Sequence, residues 1–77
     1  MSYSRKAFGT VISRLRTERE LSQERFSALA GISRSHLTML ENGRKTVRLD
    51  TFFALSEALG LTPSELMRLV EEENKEA

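Results

Sequence analysis

Residues 21–44, LSQERFSALAGISRSHLTMLENGR, decide the fold because they predict two short helices joined by a tight turn. Ser22 can cap the first backbone N–H groups of one helix, and Ser33 can do the same for the next. Between them, Gly31 can adopt the positive φ that ends a helix sharply. The second of these helices is predicted over residues 34–42.

The apolar residues of this stretch fall on the inward faces of the two helices, whereas the outer face of the second helix is polar. A helix pair with a glycine-containing turn is what a helix-turn-helix needs to enter the major groove of DNA. The positions predicted to be buried are Phe26, Leu29, Ala30, Ile32, Leu37 and Leu40. The positions predicted to face away from the core are Arg34, Ser35, Thr38 and Met39.

Three further helices are predicted around this unit, and the sequence indicates no strand or internal repeat. The first, over residues 4–20, and the fourth, which Gly60 ends, carry apolar residues at helical spacing. The fifth begins with a capping box at Thr62-Pro63-Ser64-Glu65. The apolar positions are Phe8, Val11, Ile12 and Leu15 in the first helix, Leu49, Phe52, Leu55 and Leu59 in the fourth, and Leu66, Leu69 and Val70 in the fifth.

The composition predicts one domain over residues 1–77, with flexible ends at residues 1–5 and 72–77. With no cysteine, one histidine and one aspartate, the chain has no set of residues for a metal site or a nucleophile–base pair. We therefore expect that the protein is not an enzyme and that it binds no metal, cofactor or small-molecule ligand. The apolar runs are too short to cross a bilayer and no secretory segment follows Met1, which favours a soluble cytoplasmic protein.

The net charge of +1 conceals an uneven distribution along the chain. Residues 1–48 hold ten Lys and Arg against four Glu, a formal +6, whereas residues 49–77 carry a formal −5. A basic part followed by an acidic part fits one surface that faces phosphate and a remainder that faces solvent. Scattered solvated charges would give the same counts, so charge is compatible with DNA binding but does not decide it.

The helix pair resembles the Xre family, the helix-turn-helix regulators that include the Cro and CI repressors of phages. The resemblance lies in Leu21-Ser22-Gln23-Glu24, Ala30-Gly31-Ile32-Ser33-Arg34-Ser35, Leu37 and Leu40-Glu41-Asn42-Gly43-Arg44. It covers roughly residues 8–66 and implies an all-α, compact, five-helix lambda-repressor-like domain whose helices two and three form the helix-turn-helix. Two positions depart from the family pattern, since Ser27 stands where alanine is usual and Arg48 where a capping serine is common.

The resemblance also implies roles for individual residues. Arg34 is the principal candidate for base recognition, because arginine can bond both O6 and N7 of guanine. Gln23 is implied to bind a phosphate and brace helix three, and Glu41 to form a partly buried ion pair with Arg16. The predicted base contacts are Arg34, Ser35, Thr38 and Met39. The predicted phosphate contacts are Ser22, Gln23, His36, Asn42, Arg44 and Lys45. For the basic loop, solvated side chains remain the alternative, and for His36, packing on a helix side.

Helices four and five carry more apolar residues than their core stripes require, and an exposed apolar patch usually marks an interface. We predict a dimer interface at Phe53, Leu66, Met67 and Val70, with a second layer of core as the alternative. The resemblance implies two-fold dimers that use helix five, which would space two recognition helices about one DNA turn, roughly 34–36 Å, apart. The expected partners are double-stranded DNA, a second copy of the chain and RNA polymerase. We expect no association with a membrane.

The sequence thus predicts a dimeric, sequence-specific, DNA-binding transcriptional regulator that acts on a two-fold symmetric operator. Within that class, Arg44-Lys45-Thr46-Val47 and the following Leu49-Asp50-Thr51 resemble the controller proteins of restriction-modification systems, which regulate their own operon. Phage repressors and antitoxin-type regulators share the motif and stay open as alternatives. A different class also stays open, a protein-interaction module that keeps the fold but binds a partner, such as a toxin, through helix five.

Overall fold

The computed structural model describes residues 2–76, which form five α-helices and no strand. In chain order the helices are α1 (Arg5–Glu18), α2 (Gln23–Ala30), α3 (Arg34–Glu41), α4 (Leu49–Ala58) and α5 (Pro63–Glu76). α1 packs against α3 and α5, α2 packs against α3 and α4, and α4 packs against α5. The predicted all-α, five-helix fold is confirmed. Among the described residues, no helix is long and apolar enough to span a membrane.

α2 and α3 are joined by a sharp turn at Gly31, whose φ of 72° lies in the left-handed region. The backbone N–H of Ile32 donates to the carbonyl of Ser27 at 3.0 Å, and the N–H of Gly31 donates to that of Ala28 at 3.2 Å. This is the Schellman pattern, which satisfies the last carbonyls of a helix. A Cβ at Gly31 would meet no atom within 4 Å, so the backbone conformation, and not a lack of space, favours glycine there.

Serine caps begin both helices of this pair, as the sequence predicts. The Oγ atoms of Ser22 and Ser33 each accept a backbone N–H three residues on, at 3.0 Å. Arg48, which stands at the N-cap of α4, makes no side-chain cap hydrogen bond. The other departure from the family pattern is well accommodated, because the buried Ser27 hydroxyl donates to the carbonyl of Glu24 at 3.0 Å.

α5 begins with the predicted capping box. The N–H of Thr62 donates to Glu65 Oε1 at 2.8 Å, and the N–H of Glu65 donates to Thr62 Oγ1 at 3.2 Å. The hydrogen bond from the Thr62 backbone holds the pKa of Glu65 below its ordinary value. The ionised carboxylate therefore stabilises the fold at neutral pH, and this contribution is lost as the pH falls through the lowered pKa.

α1 ends at Glu18, two residues before the predicted end of the helix. Glu20 has a positive φ of 56°, and the backbone N–H of Leu21 turns back to the carbonyl of Arg16 at 3.1 Å. The helix thus ends in the same pattern as α2, but with a non-glycine residue in the left-handed conformation. Glutamate has no preference for that conformation, so the sequence carries no sign of it.

The core lies between the five helices and is made of buried apolar side chains from each of them. Burying one Val, Leu, Ile or Phe side chain stabilises the fold by about 1.5–3 kcal/mol. The core residues are Phe8, Val11, Ile12, Leu15, Phe26, Ala30, Leu37, Leu40, Phe52, Leu55, Leu59, Leu66 and Val70.

Two apolar residues predicted on buried stripes are in fact exposed. The exposed fractions are 53% for Leu29 and 69% for Leu49. The buried face of α2 runs through Phe26, Ser27 and Ala30, which turns position 29 to solvent. Leu49 is the first residue of α4 and projects beyond the packed part of that helix.

Both ends of the described chain take part in the fold. α5 continues to Glu76, and the flexibility of residues 1–5 and 72–77 stays a prediction. Asn74 bonds the backbone of Ser2 and Ser4, and the Ser4 hydroxyl caps α1. These tertiary bonds replace the apolar stripe that the tail lacks. Met1 and Ala77 lie outside the described residues.

Gly9 allows α1 and α3 to touch backbone to backbone. A Cβ at position 9 would lie 2.6 Å from the carbonyl oxygen of Leu40 and 2.8 Å from the carbonyl carbon of Glu41. Real Cβ atoms essentially never approach so closely. The end of α3 therefore rests on α1 only because position 9 has no side chain.

We expect Gly9→Ala to destabilise the protein by about 1–3 kcal/mol, because the two helices would have to move apart. At an exposed helix position the same change would instead stabilise by up to about 1 kcal/mol, since alanine has the higher helix propensity. Urea unfolding at one fixed protein concentration measures the sign and the size. Thr10→Ala, at the exposed neighbouring position, is the control. A Gly9→Ala variant as stable as the wild type would contradict the contact.

Candidate nucleic-acid interface

The outer face of α3 presents side chains that the core does not use. Arg34, Ser35 and Met39 are exposed and Thr38 is half-buried. Within residues 2–76, Arg34 takes part in none of the ion pairs. The helix that follows the Gly31 turn thus carries a cation, hydroxyls and a flexible apolar side chain on its free face.

A buried ion pair holds α3 against α1. Arg16 Nε donates to Glu41 Oε2 at 2.7 Å, and Arg16 Nη2 donates to Glu41 Oε1 at 3.1 Å. The exposed fraction is 16% for the arginine side chain and 5% for the glutamate side chain. Arg16 Nη1 also donates to the carbonyl of Leu21 at 2.8 Å. One guanidinium therefore joins α1, the loop before α2 and the end of α3.

Gln23 links the start of α2 to the same carboxylate. Its Nε2 donates to Glu41 Oε1 at 2.9 Å, and its Oε1 lies 3.4 Å from the Thr38 hydroxyl. That hydroxyl is also within 3.0 Å of the carbonyl of Arg34. The brace between Gln23 and α3 that the resemblance implies is therefore present, whereas the phosphate contact of Gln23 stays a prediction.

The connector after α3 places two cations in solvent. Arg44 and Lys45 are exposed. The ion pairs within residues 2–76 join Arg14 to Glu73, Arg16 to Glu41 and Arg48 to Asp50. Both connector cations are outside these pairs, so their charges are available to an anion. Of the other predicted phosphate contacts, Ser22 and Asn42 are exposed and His36 is half-buried.

The structure divides the four residues predicted to form a dimer interface. Leu66 and Val70 are 0% and 5% exposed and belong to the core, so their assignment to an interface is wrong. They lie four residues apart on the inward stripe of α5, where the other helices already cover them. Phe53 and Met67 are 54% and 48% exposed and remain candidates.

Phe53 and Met67 do not line one continuous surface depression. Phe53 lines an apolar groove with Leu61 and Pro63, at the junction of α4 and α5. Met67 lines a separate depression with Tyr3. Sequence reasoning missed Leu61 because it lies in a loop, outside any helical stripe.

A model of the family described as Helix-turn-helix matches residues 12–66. The chain belongs to this Xre-type helix-turn-helix family. One Xre-type relative, the uncharacterized HTH-type transcriptional regulator y4dJ of Sinorhizobium fredii, is 38% identical over 68 residues, which cover 88% of each chain. Another, the control protein C.MunI of a Mycoplasma species, is 39% identical over 67 residues, which cover 86% of this chain and 90% of that one.

Solved structures of Xre-type proteins agree with this fold. The restriction-modification controller protein C.AhdI from Aeromonas hydrophila is 37% identical, with a TM-score of 0.78 over 80% of this chain and 94% of that one. The controller protein C.Esp1396I, as a tetramer in complex with its natural 35-base-pair operator, gives a TM-score of 0.83 at 15% identity. That match covers 95% of this chain and 96% of the other, and at this identity it supports the fold alone.

We expect Glu41→Gln to destabilise the protein by about 3 kcal/mol, because Arg16 would keep a largely buried charge without its partner. Urea unfolding at fixed protein concentration measures the loss. Glu18→Gln, which removes an exposed carboxylate of α1, is the matched control and should change stability by less than about 0.5 kcal/mol. Equal stability of the two variants would show that the ion pair does not hold α3 in place.

Proposed function

We propose that this Xre-type chain is a sequence-specific, double-stranded-DNA-binding transcriptional regulator that acts as a homodimer on a two-fold symmetric operator. The observation that carries the proposal is the free face of α3, with Arg34, Ser35 and Met39 exposed on a helix that a buried ion pair anchors. Bases are read by side chains held at defined positions in the major groove. A fixed helix with an unoccupied polar face meets that requirement.

The relatives support a biological setting for this activity. C.MunI is named a control protein and C.AhdI a restriction-modification controller, and both are more than a third identical to this chain. We therefore propose that the chain regulates a restriction-modification operon that includes its own gene. C.Esp1396I, which shares the fold, is a tetramer in complex with its natural operator, and we propose that this chain likewise assembles on its own operator.

The proposed contacts follow from the atoms that the fold leaves free. Gln23 has two amide N–H groups and gives one to Glu41, so the other is available to a phosphate. Arg44 and Lys45 supply charge for the DNA backbone, and Arg34 supplies the bidentate donor for a guanine. The remaining base contacts are assigned to Ser35, Thr38 and Met39. The remaining phosphate contacts are assigned to Ser22, His36 and Asn42.

RNA polymerase is a further proposed partner. A regulator bound at a promoter lies against the DNA that the polymerase itself must occupy, so it either blocks or touches the enzyme. The operon that we propose as the target is transcribed in the cytoplasm, so we propose the cytoplasm as the location of the protein.

We expect Arg34→Ala to cost about 1–3 kcal/mol in operator binding and to relax specificity at one base pair per half-site. By contrast, Lys45→Ala should weaken binding to all sequences alike and reduce the salt slope by about 1 for each phosphate that the lysine neutralises. The probes are duplexes that the wild-type protein selects from random DNA, titrated by fluorescence anisotropy at several salt concentrations.

Two outcomes would overturn these assignments. If Arg34→Ala kept the full base preference of the wild type, Arg34 would not be the principal base contact. If the wild-type protein selected no two-fold symmetric site, the result would favour a protein-interaction module over a DNA-binding regulator.

The homodimer contact is proposed at the apolar groove of α4 and α5. Phe53 exposes half of a large aromatic ring there, beside Leu61 and Pro63. An aromatic side chain gains most from burial when a partner covers an apolar surface around it. The groove supplies that surface, which makes Phe53 the proposed anchor of the dimer.

We expect Phe53→Glu to dissociate the dimer and to weaken operator binding, because a monomer engages only one half-site. Met67→Glu is the matched control, since it places the same charge on a similarly exposed apolar position in the separate depression. Sedimentation velocity reports the oligomeric state of each variant. A monomeric Met67→Glu beside a dimeric Phe53→Glu would move the interface to the outer face of α5.

A further inference from the structure

Residues 2–4 are tied to the far end of the chain by a single side chain. Asn74, in the last turn of α5, accepts the backbone N–H of Ser4 through Oδ1 at 2.8 Å. Its Nδ2 donates to the carbonyl of Ser2 at 2.7 Å. Because both bonds go to backbone atoms, they fix the path of the segment itself. The bond to Ser4 is partly buried, whereas the bond to Ser2 is exposed.

Tyr3 lies between the two tethered residues and connects them to the rest of the protein. Its ring packs on Phe8, with the ring centroids 6.5 Å apart. Burial raises the pKa of the Tyr3 phenol above its ordinary value. The ring contact with Phe8 and the Ser4 cap therefore join the N-terminal segment to the start of α1.

The connector between α3 and α4 is held at both of its ends. At the start, Gly43 rests on the first turn of α1, since a Cβ there would lie 3.0 Å from Lys6 Cα. At the end, Val47 packs against the core. Arg44 and Lys45 are exposed between these two points. A shift of either point changes where the two cations lie.

We propose that Asn74 is a positioning residue for DNA binding, acting through Ser4, the first turn of α1 and Gly43 on Arg44 and Lys45. This role rests on the proposed function, which assigns phosphate contacts to the connector. A cation already held near its phosphate loses less conformational freedom on binding than one on a free loop. The last turn of the acidic helix α5 thereby supports the basic surface of the molecule.

The test is Asn74→Ala, which removes both backbone bonds without changing the charge of the protein. We expect operator binding to weaken by roughly two- to tenfold, the range that one net hydrogen bond is worth. The loss should be the same for a selected operator duplex and a scrambled duplex of equal length. The salt dependence should become shallower, as for Lys45→Ala.

Ile12→Val is the matched control, because it weakens the core at α1 and also leaves the charge unchanged. It removes one methylene group from a fully buried side chain, and so should lower thermal stability. Its affinity for DNA should stay at the wild-type value. If Asn74→Ala likewise lowers only thermal stability, then Asn74 is merely structural and the proposal is overturned.

Combining Asn74→Ala with Arg44→Ala and Lys45→Ala tests whether Asn74 acts through the connector. If it does, Asn74→Ala adds little to the loss that removal of both cations already causes, so the losses are not additive. Fully additive losses would overturn the route through the connector. If the wild-type protein binds DNA and Asn74→Ala binds it equally well, only the positioning role of Asn74 is rejected. If the wild-type protein binds no duplex, the proposed function is rejected as well.

Discussion

The carboxylate of Glu41 is where α1, α2 and α3 meet. It belongs to α3 and accepts hydrogen bonds from Arg16 on α1 and from Gln23 on α2. A negative charge in the last turn of a helix is unfavourable by itself, because the helix dipole is negative there. The guanidinium compensates that charge and adds two directed hydrogen bonds. Apolar burial supplies most of the folding free energy but has little directionality, so this cluster sets the orientation of the recognition helix.

The same end of α3 packs against a position of α1, Gly9, where no side chain fits. Gly9 faces the carbonyls of Leu40 and Glu41, so the backbones of α1 and α3 are in contact there. Arg16 lies farther along α1 and reaches the Glu41 side chain from that position. The close approach and the ion pair constrain one another. A wider separation of the two helices would lengthen the hydrogen bonds of the guanidinium, and a shorter side chain in place of the arginine would not span the gap.

Features governed by neighbouring residues could be predicted from the sequence. Ser22, Gly31 and Ser33 act on residues only a few positions away, so the turn between α2 and α3 and the start of each helix could be predicted from turn chemistry. Helical spacing identified the apolar residues of α5 but could not tell which of them pack in the core and which are exposed. For this reason the sequence places Val70 in an interface, although it is buried. Asn74 bonds the backbone at the opposite end of the chain, and no local pattern signals such a contact.

The separation between the anchored and the free side of α3 has an evolutionary consequence. Leu37 and Leu40 face the core and Glu41 is fixed by its ion pair, whereas Arg34, Ser35 and Met39 are exposed. Substitutions at exposed positions away from such features usually change stability by less than about 0.5 kcal/mol. In the proposed function these exposed side chains contact the bases, so they can change while the scaffold stays intact. Related regulators could then diverge in the DNA that they bind without any change of fold.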